Sequence, residues 1–296
     1  MKINKVAESK SYPIFILLLL SLIWGSSFIL IKRGLDSFSA PQVGTIRVSI
    51  AFIILLPFAT RYIKSVFRLK WKQIIVYGLL ANLIPAILFA TAETGLSSSL
   101  TGILNSLTPM FTLIIGAIFF GVSIQREQTL GLAAGFAGSF ILSFVGSGGE
   151  LGSFNFYALF VVAATICYGF STNLVRKYFL QVDSLALTAL AFFSLGGVSL
   201  IYLFSSDFIY RMQNVEGAWI SLLYIFILSA FGTAFALILF NRLIQITSAV
   251  FASTVTYLIP ITAVVWGIVD GEELYALHFV GMALIIAGVY IVNKYK

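Results

Sequence analysis

The sequence predicts an all-α, polytopic membrane protein: ten transmembrane helices arranged as two inverted five-helix repeats. Three observations carry this. Of 296 residues, 60% belong to the AVILMFWYC set and 10% are charged, with a mean hydropathy of +1.03. A water-facing domain runs nearer about 25% charged. Nine windows of at least 20 residues contain no Asp, Glu, Lys or Arg: 11–31, 73–92, 94–125, 128–149, 151–175, 184–206, 217–241, 243–269 and 274–293. Crossing a hydrocarbon core takes roughly 20 mostly apolar residues. Finally, the two halves of the chain echo one another.

The elements follow in order. The first window follows Lys2, Lys5 and Lys10, but 14–31 is longer than a signal-peptide core and no A-x-A-like cleavage site follows, so it is read as span one. The second span, 41–60, is broken only by Arg47. The third and eighth open at Trp71 and Trp219, which suit opposite membrane interfaces. The fourth and ninth carry Pro109 and Pro260 as helix kinks, each preceded by polar residues: Asn105, Ser106 and Thr108 in one, Ser253, Thr254, Thr256 and Tyr257 in the other. The fifth and tenth carry Gly131, Gly135, Gly138 and Gly281, Gly288 at helical spacing. That is a close-packing seam, suited to the scaffold or to a homodimer contact. Spans must satisfy their backbone internally, as helices or as a closed barrel, and these windows lack the alternation of barrel strands.

Charge sets the expected threading. With the N-terminus inside, 14 Lys and Arg fall in inner segments and 3 in outer loops, while Arg47 is intramembrane. This positive-inside bias predicts both termini in the cytoplasm of a bacterial plasma or inner membrane. The absence of N-x-[ST] acceptors agrees with that source. The basic run from Arg61 to Lys72 reads as an anchor beside anionic lipid, not as a nucleic-acid site.

The repeat is visible by eye. Trp24-Gly25-Ser26-Ser27-Phe28 aligns with Tyr168-Gly169-Phe170-Ser171-Thr172 at an offset of 144. Phe89 and Phe240, Ser97 and Ser248, and Pro109 and Pro260 align at 151; Gly131 and Gly138 meet Gly281 and Gly288 at 150. Halves of 12–145 and 154–294 each hold five spans. An odd number makes the second half enter from the opposite side, as inverted-repeat transporters do.

These residues together resemble the EamA-type branch of the drug/metabolite transporter superfamily. The resemblance rests on the W-G-S-S-F of helix one, the mid-helix prolines, the G-x-x-x-x-x-x-G final helices and the acidic link Asp270-Gly271-Glu272-Glu273. Gly121-Val122 stands where the first repeat of that family often has Gly-Glu. The resemblance implies a ten-helix carrier with a central cavity between the halves, and secondary transport of small metabolites, often outward.

The side chains point the same way. His278 is the only histidine and Cys167 the only cysteine, so no metal-ligand cluster exists and no cofactor or catalytic centre is implied. Gly146-Ser147-Gly148-Gly149 lacks the Gly-Lys-[Ser/Thr] of a phosphate-binding loop. Cavity candidates are Trp24, Arg47, Asn105, Tyr168, Thr256 and Tyr257. Asn82, Pro85 and Asn173 are further polar or kinking positions whose role in packing weighs as much. Glu93 is the one acid close to the membrane. A cavity with few charges favours zwitterionic or neutral metabolites and a small-molecule exporter working by alternating access. The alternatives are a lipid-linked flippase or small-drug efflux protein, and a membrane partner or sensor that moves nothing.

Overall fold

The computed structural model describes residues 11–96, 98–146, 156–269 and 275–295. The acidic link at 270–273, the glycine run beyond Gly146 and the first ten residues lie outside them. Every described segment predicted as a span is helical, and no strand occurs among the described residues. The elements are α1 (Ser11–Gly25), α2 (Ser27–Leu35), α3 (Ala40–Tyr62), α4 (Arg68–Gly78), α5 (Ile84–Glu93), α6 (Ser98–Asn105), α7 (Thr108–Phe120), α8 (Arg126–Gly146) and α9 (Ala158–Tyr178). They continue with α10 (Ser184–Ser205), the short α11 (Phe208–Asn214), α12 (Ala218–Ile227), α13 (Ala236–Ile246), α14 (Ala249–Ser253), α15 (Val255–Val269) and α16 (Ala276–Lys294). Three π-helical stretches, Ile63–Phe67, Leu79–Leu83 and Leu228–Phe235, join neighbouring helices without a loop.

The ends have local causes. Ser39 opens α3 in a capping box with Gln42, whose amide also reaches Ser206 and Asp207 beyond the end of α10 (3.1 and 2.8 Å). Asp183 caps α10 by accepting from the Ala186 amide, and Ser248 caps α14 by accepting from the Phe251 amide. Gly121 ends α7 at φ 69°, a left-handed cap that only glycine adopts freely. The basic run after α3 is helical rather than a loop: the chain stays wound through Phe67 and turns at Lys70 (φ −129°, ψ 24°).

Packing respects the repeat. The closest neighbours are α8 with α16 and α3 with α10, each joining equivalent helices of the two halves. The other large contacts come in exchangeable pairs: α5 on α9 with α2 on α12, and α7 on α9 with α15 on α1. Swapping the halves turns one member of each pair into the other.

The outer surface is apolar. Ile118, Ile201 and Trp219 are 67%, 72% and 72% exposed, within a belt of other exposed aliphatic and aromatic residues. Lipid suits that belt and water does not. Among the described residues, five stretches meet the length and apolarity of a membrane span: Ser11–Leu35, Ala40–Glu93, Ala158–Tyr178, Ser184–Ser205 and Ala218–Ile246. Since lipid tails are as apolar as leucine, helices inside such a belt are held by close packing and polar contacts. The glycine seam supplies the closest packing, and it does so within one chain. A Cβ at Gly288 would stand 2.5 Å from the Gly131 carbonyl oxygen, and one at Gly138 2.5 Å from that of Gly281.

Gly288→Ala should therefore lower the thermal unfolding midpoint of the detergent-solubilised protein, at a cost of about 1–3 kcal/mol for overpacking. Gly197→Ala, where nothing lies within 4 Å, should leave the midpoint unchanged or raise it. Equal midpoints for the two variants would contradict the seam.

Candidate functional site

The site grows out of interrupted helices. The predicted fourth span is two helices, α6 and α7, separated at Ser106 and Leu107, and the ninth is α14 and α15, separated at Thr254. Pro109 is thus not a mid-helix kink: it occupies the first turn of a fresh helix, where its missing N–H costs nothing. Pro260 does lie inside α15. Pro260 removes the donor that would have served the Thr256 carbonyl, while the break at Ser106–Leu107 leaves the Asn105 carbonyl without its helical donor. The Asn105 carbonyl accepts instead from the Thr108 hydroxyl (2.7 Å). The Ser106 hydroxyl has one proton to share between the Gly102 carbonyl at 3.1 Å and the Thr256 carbonyl at 3.4 Å, and it also meets the Ser139 hydroxyl at 2.6 Å. The two breaks therefore touch each other across the halves.

The π-helical stretch Leu228–Phe235 is the third interruption. A wide turn displaces carbonyls from the regular ladder. The Gly232 carbonyl accepts from the Trp24 indole N–H (2.9 Å), and Trp24 packs edge-on against Phe240 with centroids 5.1 Å apart. Thr233 donates its hydroxyl to the Leu228 carbonyl five residues back (3.2 Å) and accepts a short hydrogen bond from Arg47 Nε. Arg47 thus crosses from α3 in the first half to a bulged helix in the second.

Between these interruptions lies a cavity of about 850 Å³, including its mouth. Its wall includes Trp24, Arg47, Asn105, Tyr168 and Thr256, drawn from five helices of both halves. Asn105 and Thr256 are buried, whereas Trp24, Arg47 and Tyr168 are partly open to the cavity. Tyr257 is not on the wall, and this corrects the expectation from sequence. It is 0% exposed, its hydroxyl donates to the Leu132 carbonyl (2.9 Å), and its ring fills the space above Gly135. One residue along a helix turns a side chain by about 100°, and that step carries Tyr257 toward α8 while Thr256 stays on the wall. Nor do Asn82 or Asn173 line the cavity. Asn173 is spent on the Thr112 and Gly169 carbonyls (2.9 and 2.8 Å).

Several wall residues were not singled out beforehand. Phe28, Phe89 and Phe240 add aromatic surface, with Phe89 stacked on Tyr168 at 5.9 Å. Phe28 follows Trp24 by one helical turn, and Phe89 and Phe240 are repeat partners, so the signal was present. Tyr77 and Asn241 close one end through a 2.8 Å hydrogen bond, continued by Asn241 to Thr188 at 3.0 Å. The wall as a whole is aromatic and hydroxyl-bearing, with Arg47 its one charged side chain among the described residues.

A helical bundle with an apolar belt, interrupted helices and a cavity between its halves defines a multi-pass membrane carrier. The chain belongs to the EamA-like transporter family, whose model matches residues 11–144 and 155–294. It is similar to the uncharacterized inner membrane transporter YedA of Escherichia coli (25% identical, covering 96% of this chain and 92% of the relative). It is also similar to a probable amino-acid metabolite efflux pump of Salmonella typhimurium (25%, covering 94% and 93%). A third relative is an S-adenosylmethionine/S-adenosylhomocysteine transporter of Chlamydia muridarum (24%, covering 86% and 82%). One crystal structure superposes with a TM-score of 0.72 over 97% of this chain and 98% of that one, at 16% identity, a likeness of fold alone. The protein is a membrane transporter.

Thr108→Val removes the hydroxyl that serves the freed Asn105 carbonyl. It should destabilise the protein by about 1–3 kcal/mol, the cost of a buried unpaired acceptor, and Thr108→Ser should not. Matched thermal midpoints for the valine and serine variants would show that the carbonyl finds another donor.

Proposed function

We propose that this chain is a secondary carrier that exports small amino-acid-like or other zwitterionic metabolites by alternating access at the central cavity. The observation that carries this reading is Arg47: one fixed cation on an otherwise aromatic and hydroxylic wall. A guanidinium with N–H groups to spare suits a cargo carboxylate, which it can hold through two parallel hydrogen bonds. The rings of Trp24, Phe89 and Tyr168 suit an apolar cargo body. The name of the Salmonella relative favours amino-acid metabolites and outward movement.

In this reading the chain crosses the bilayer ten times as inverted repeats 12–145 and 154–294, with both termini in the cytoplasm of a bacterial inner membrane. The exchangeable helix pairs support the repeat, and the 14-to-3 bias supports the orientation. Because the glycine seam is consumed within the chain, no second copy is required. Cargo and bilayer are the partners; no nucleic acid, cofactor or chemical step enters the cycle.

Two experiments test it. Purified protein in vesicles, loaded in turn with radiolabelled amino acids, should release a carboxylate-bearing cargo. Arg47→Lys should slow that release by about tenfold and Arg47→Gln by more, at matched protein levels, if the lost contact is worth about 1.4 kcal/mol or more. Equal release by wild type and Arg47→Gln would remove the carboxylate from the argument. For orientation, single cysteines at Asn214 and Gln125 are introduced with Cys167→Ala. Intact cells should label the first with an impermeant reagent, and only permeabilised cells the second; the reverse pattern would invert the topology.

A further inference from the structure

Glu93 closes α5, one turn beyond Phe89 on the cavity wall. Both its carboxylate oxygens are buried, and neither has a hydrogen-bond partner. The ion pairs among the described residues are Arg33 with Asp36 and Arg211 with Asp207, so Glu93 is in none of them. The helices packed on α5 carry two cations, Lys32 on α2 and Arg47 on α3. Arg47 gives its Nε to Thr233 and not to Glu93.

We propose that Glu93 carries an exchangeable proton whose occupancy is linked to the anion held by Arg47, so that a cargo carboxylate and a proton are bound together. The inference rests on the reading of Arg47 given above and adds the ion that travels with the cargo.

The physical argument is a competition. Burial without a donor disfavours an ionised carboxylate, and nearby cations favour it. Arg47 is the cation that also faces the cavity. When a cargo carboxylate neutralises Arg47, the support for ionised Glu93 falls and Glu93 takes a proton from a hydronium ion of the aqueous phase, one O–H bond breaking there as one forms on the carboxylate and water being left. Linkage is reciprocal, so a proton already on Glu93 must strengthen anion binding at Arg47 by the same factor.

Few other groups can substitute. The elements packed on α5 are α2, α3, Leu79–Leu83, α6 and α9. Besides Lys32 and Arg47 they bring Arg33, which is paired to Asp36 at 3.7 Å, and Cys167 and Tyr168 on α9; Arg61 and Tyr62 on α3 and Arg176, Lys177 and Tyr178 on α9 sit in the last turns of those helices. The Tyr157 ring lies over Gly95, just past Glu93. The helix α6 and the stretch Leu79–Leu83 contribute no titratable side chain. Asp36 is largely exposed, which leaves Glu93 as the buried acid of this region.

A consequence concerns direction. Cargo that leaves together with a proton must run down its own gradient against an inward proton force. Such a carrier releases a metabolite that has accumulated and holds back one that has not.

The test needs no cargo. Infrared spectra of the full-length protein in vesicles, titrated with pH, should show the C=O stretch of a protonated carboxylic acid that vanishes in Glu93→Gln. In Arg47→Gln, where the charge is removed as a bound anion would neutralise it, the titration midpoint should rise by about one pH unit or more, about tenfold in proton affinity. Thr233→Val, which releases Arg47 from its hydroxyl, should shift the midpoint the other way. The proposal is overturned if wild type shows no such band, if the band survives in Glu93→Gln, or if the midpoint is the same in Arg47→Gln. Should Arg47→Gln fail to fold, an unmoved midpoint in Thr233→Val overturns it instead. Vesicles that titrate as expected but release no amino acid would count against the cavity reading alone.

Discussion

Every backbone N–H and C=O inside a hydrocarbon layer must find a partner within the protein, and this constraint organises the molecule. Straight helices meet it without help. Three of the places where the chain departs from the α-helical ladder, at Ser106–Leu107, at Thr254 and along Leu228–Phe235, do not. There the Thr108 hydroxyl meets the Asn105 carbonyl, the Trp24 indole meets the Gly232 carbonyl, and the Ser106 hydroxyl lies 3.4 Å from the Thr256 carbonyl. These same residues, or their immediate neighbours, form the cavity wall. The cavity is therefore where backbone irregularity has been gathered and satisfied, leaving polar side chains beside open space.

The repeat explains the symmetry of this arrangement, and Arg47 breaks it. Trp24 faces Tyr168 in the alignment, Asn105 faces Thr256 and Phe89 faces Phe240, each an exchange of like for like. At offsets of 144 to 151, Arg47 falls opposite residues 191–198, a stretch with no charge. A wall with paired aromatic and polar groups can be presented similarly from either side. A single cation belongs to one half only, so in the proposed cycle the two access states would differ electrostatically even where their packing is alike. Such a difference would let the proposed cargo or proton bias one state over the other, because a ligand shifts an equilibrium only by its differential affinity.

Much of this was legible in the sequence, for identifiable reasons. Length and apolarity suffice to mark membrane helices, and repeat equivalence marked Trp24, Tyr168, Asn105 and Thr256, which the fold brings to one wall. Their role toward cargo is the proposal, not the observation. Tyr257 was misplaced because the polar run Ser253–Tyr257 gives no register: which of two adjacent residues faces inward depends on how the helix restarts after Thr254. The wide turn at Leu79–Leu83 has a trace in Pro85, which lacks the donor that would serve the Ala81 carbonyl within it, but the one at Leu228–Phe235 left no readable trace. It contains no proline, and Gly232 alone does not mark a wide turn. The Thr233 acceptor for Arg47 was invisible for that reason. Glu93 could be placed near a helix end, but its burial depends on which helices pack on α5, and these are distant in sequence, α9 above all.

The position of Arg47 itself follows from the wide turn. An arginine side chain has several rotatable bonds, and one that reached outward would find headgroups or water. Here the Thr233 hydroxyl is already oriented, because its proton is committed to the Leu228 carbonyl and its free lone pairs face α3. That preformed acceptor takes Nε and leaves the two terminal nitrogens unengaged by any described side chain. Fixing the guanidinium at Nε also fixes the plane in which those nitrogens lie, so less ordering remains to be lost when an anion binds. A regular α-helix at the same position would have spent the hydroxyl on the preceding turn with a different orientation. The π-helical stretch thus does two things with one irregularity: its carbonyl holds Trp24 on one side of the cavity, and its threonine holds Arg47 on the other.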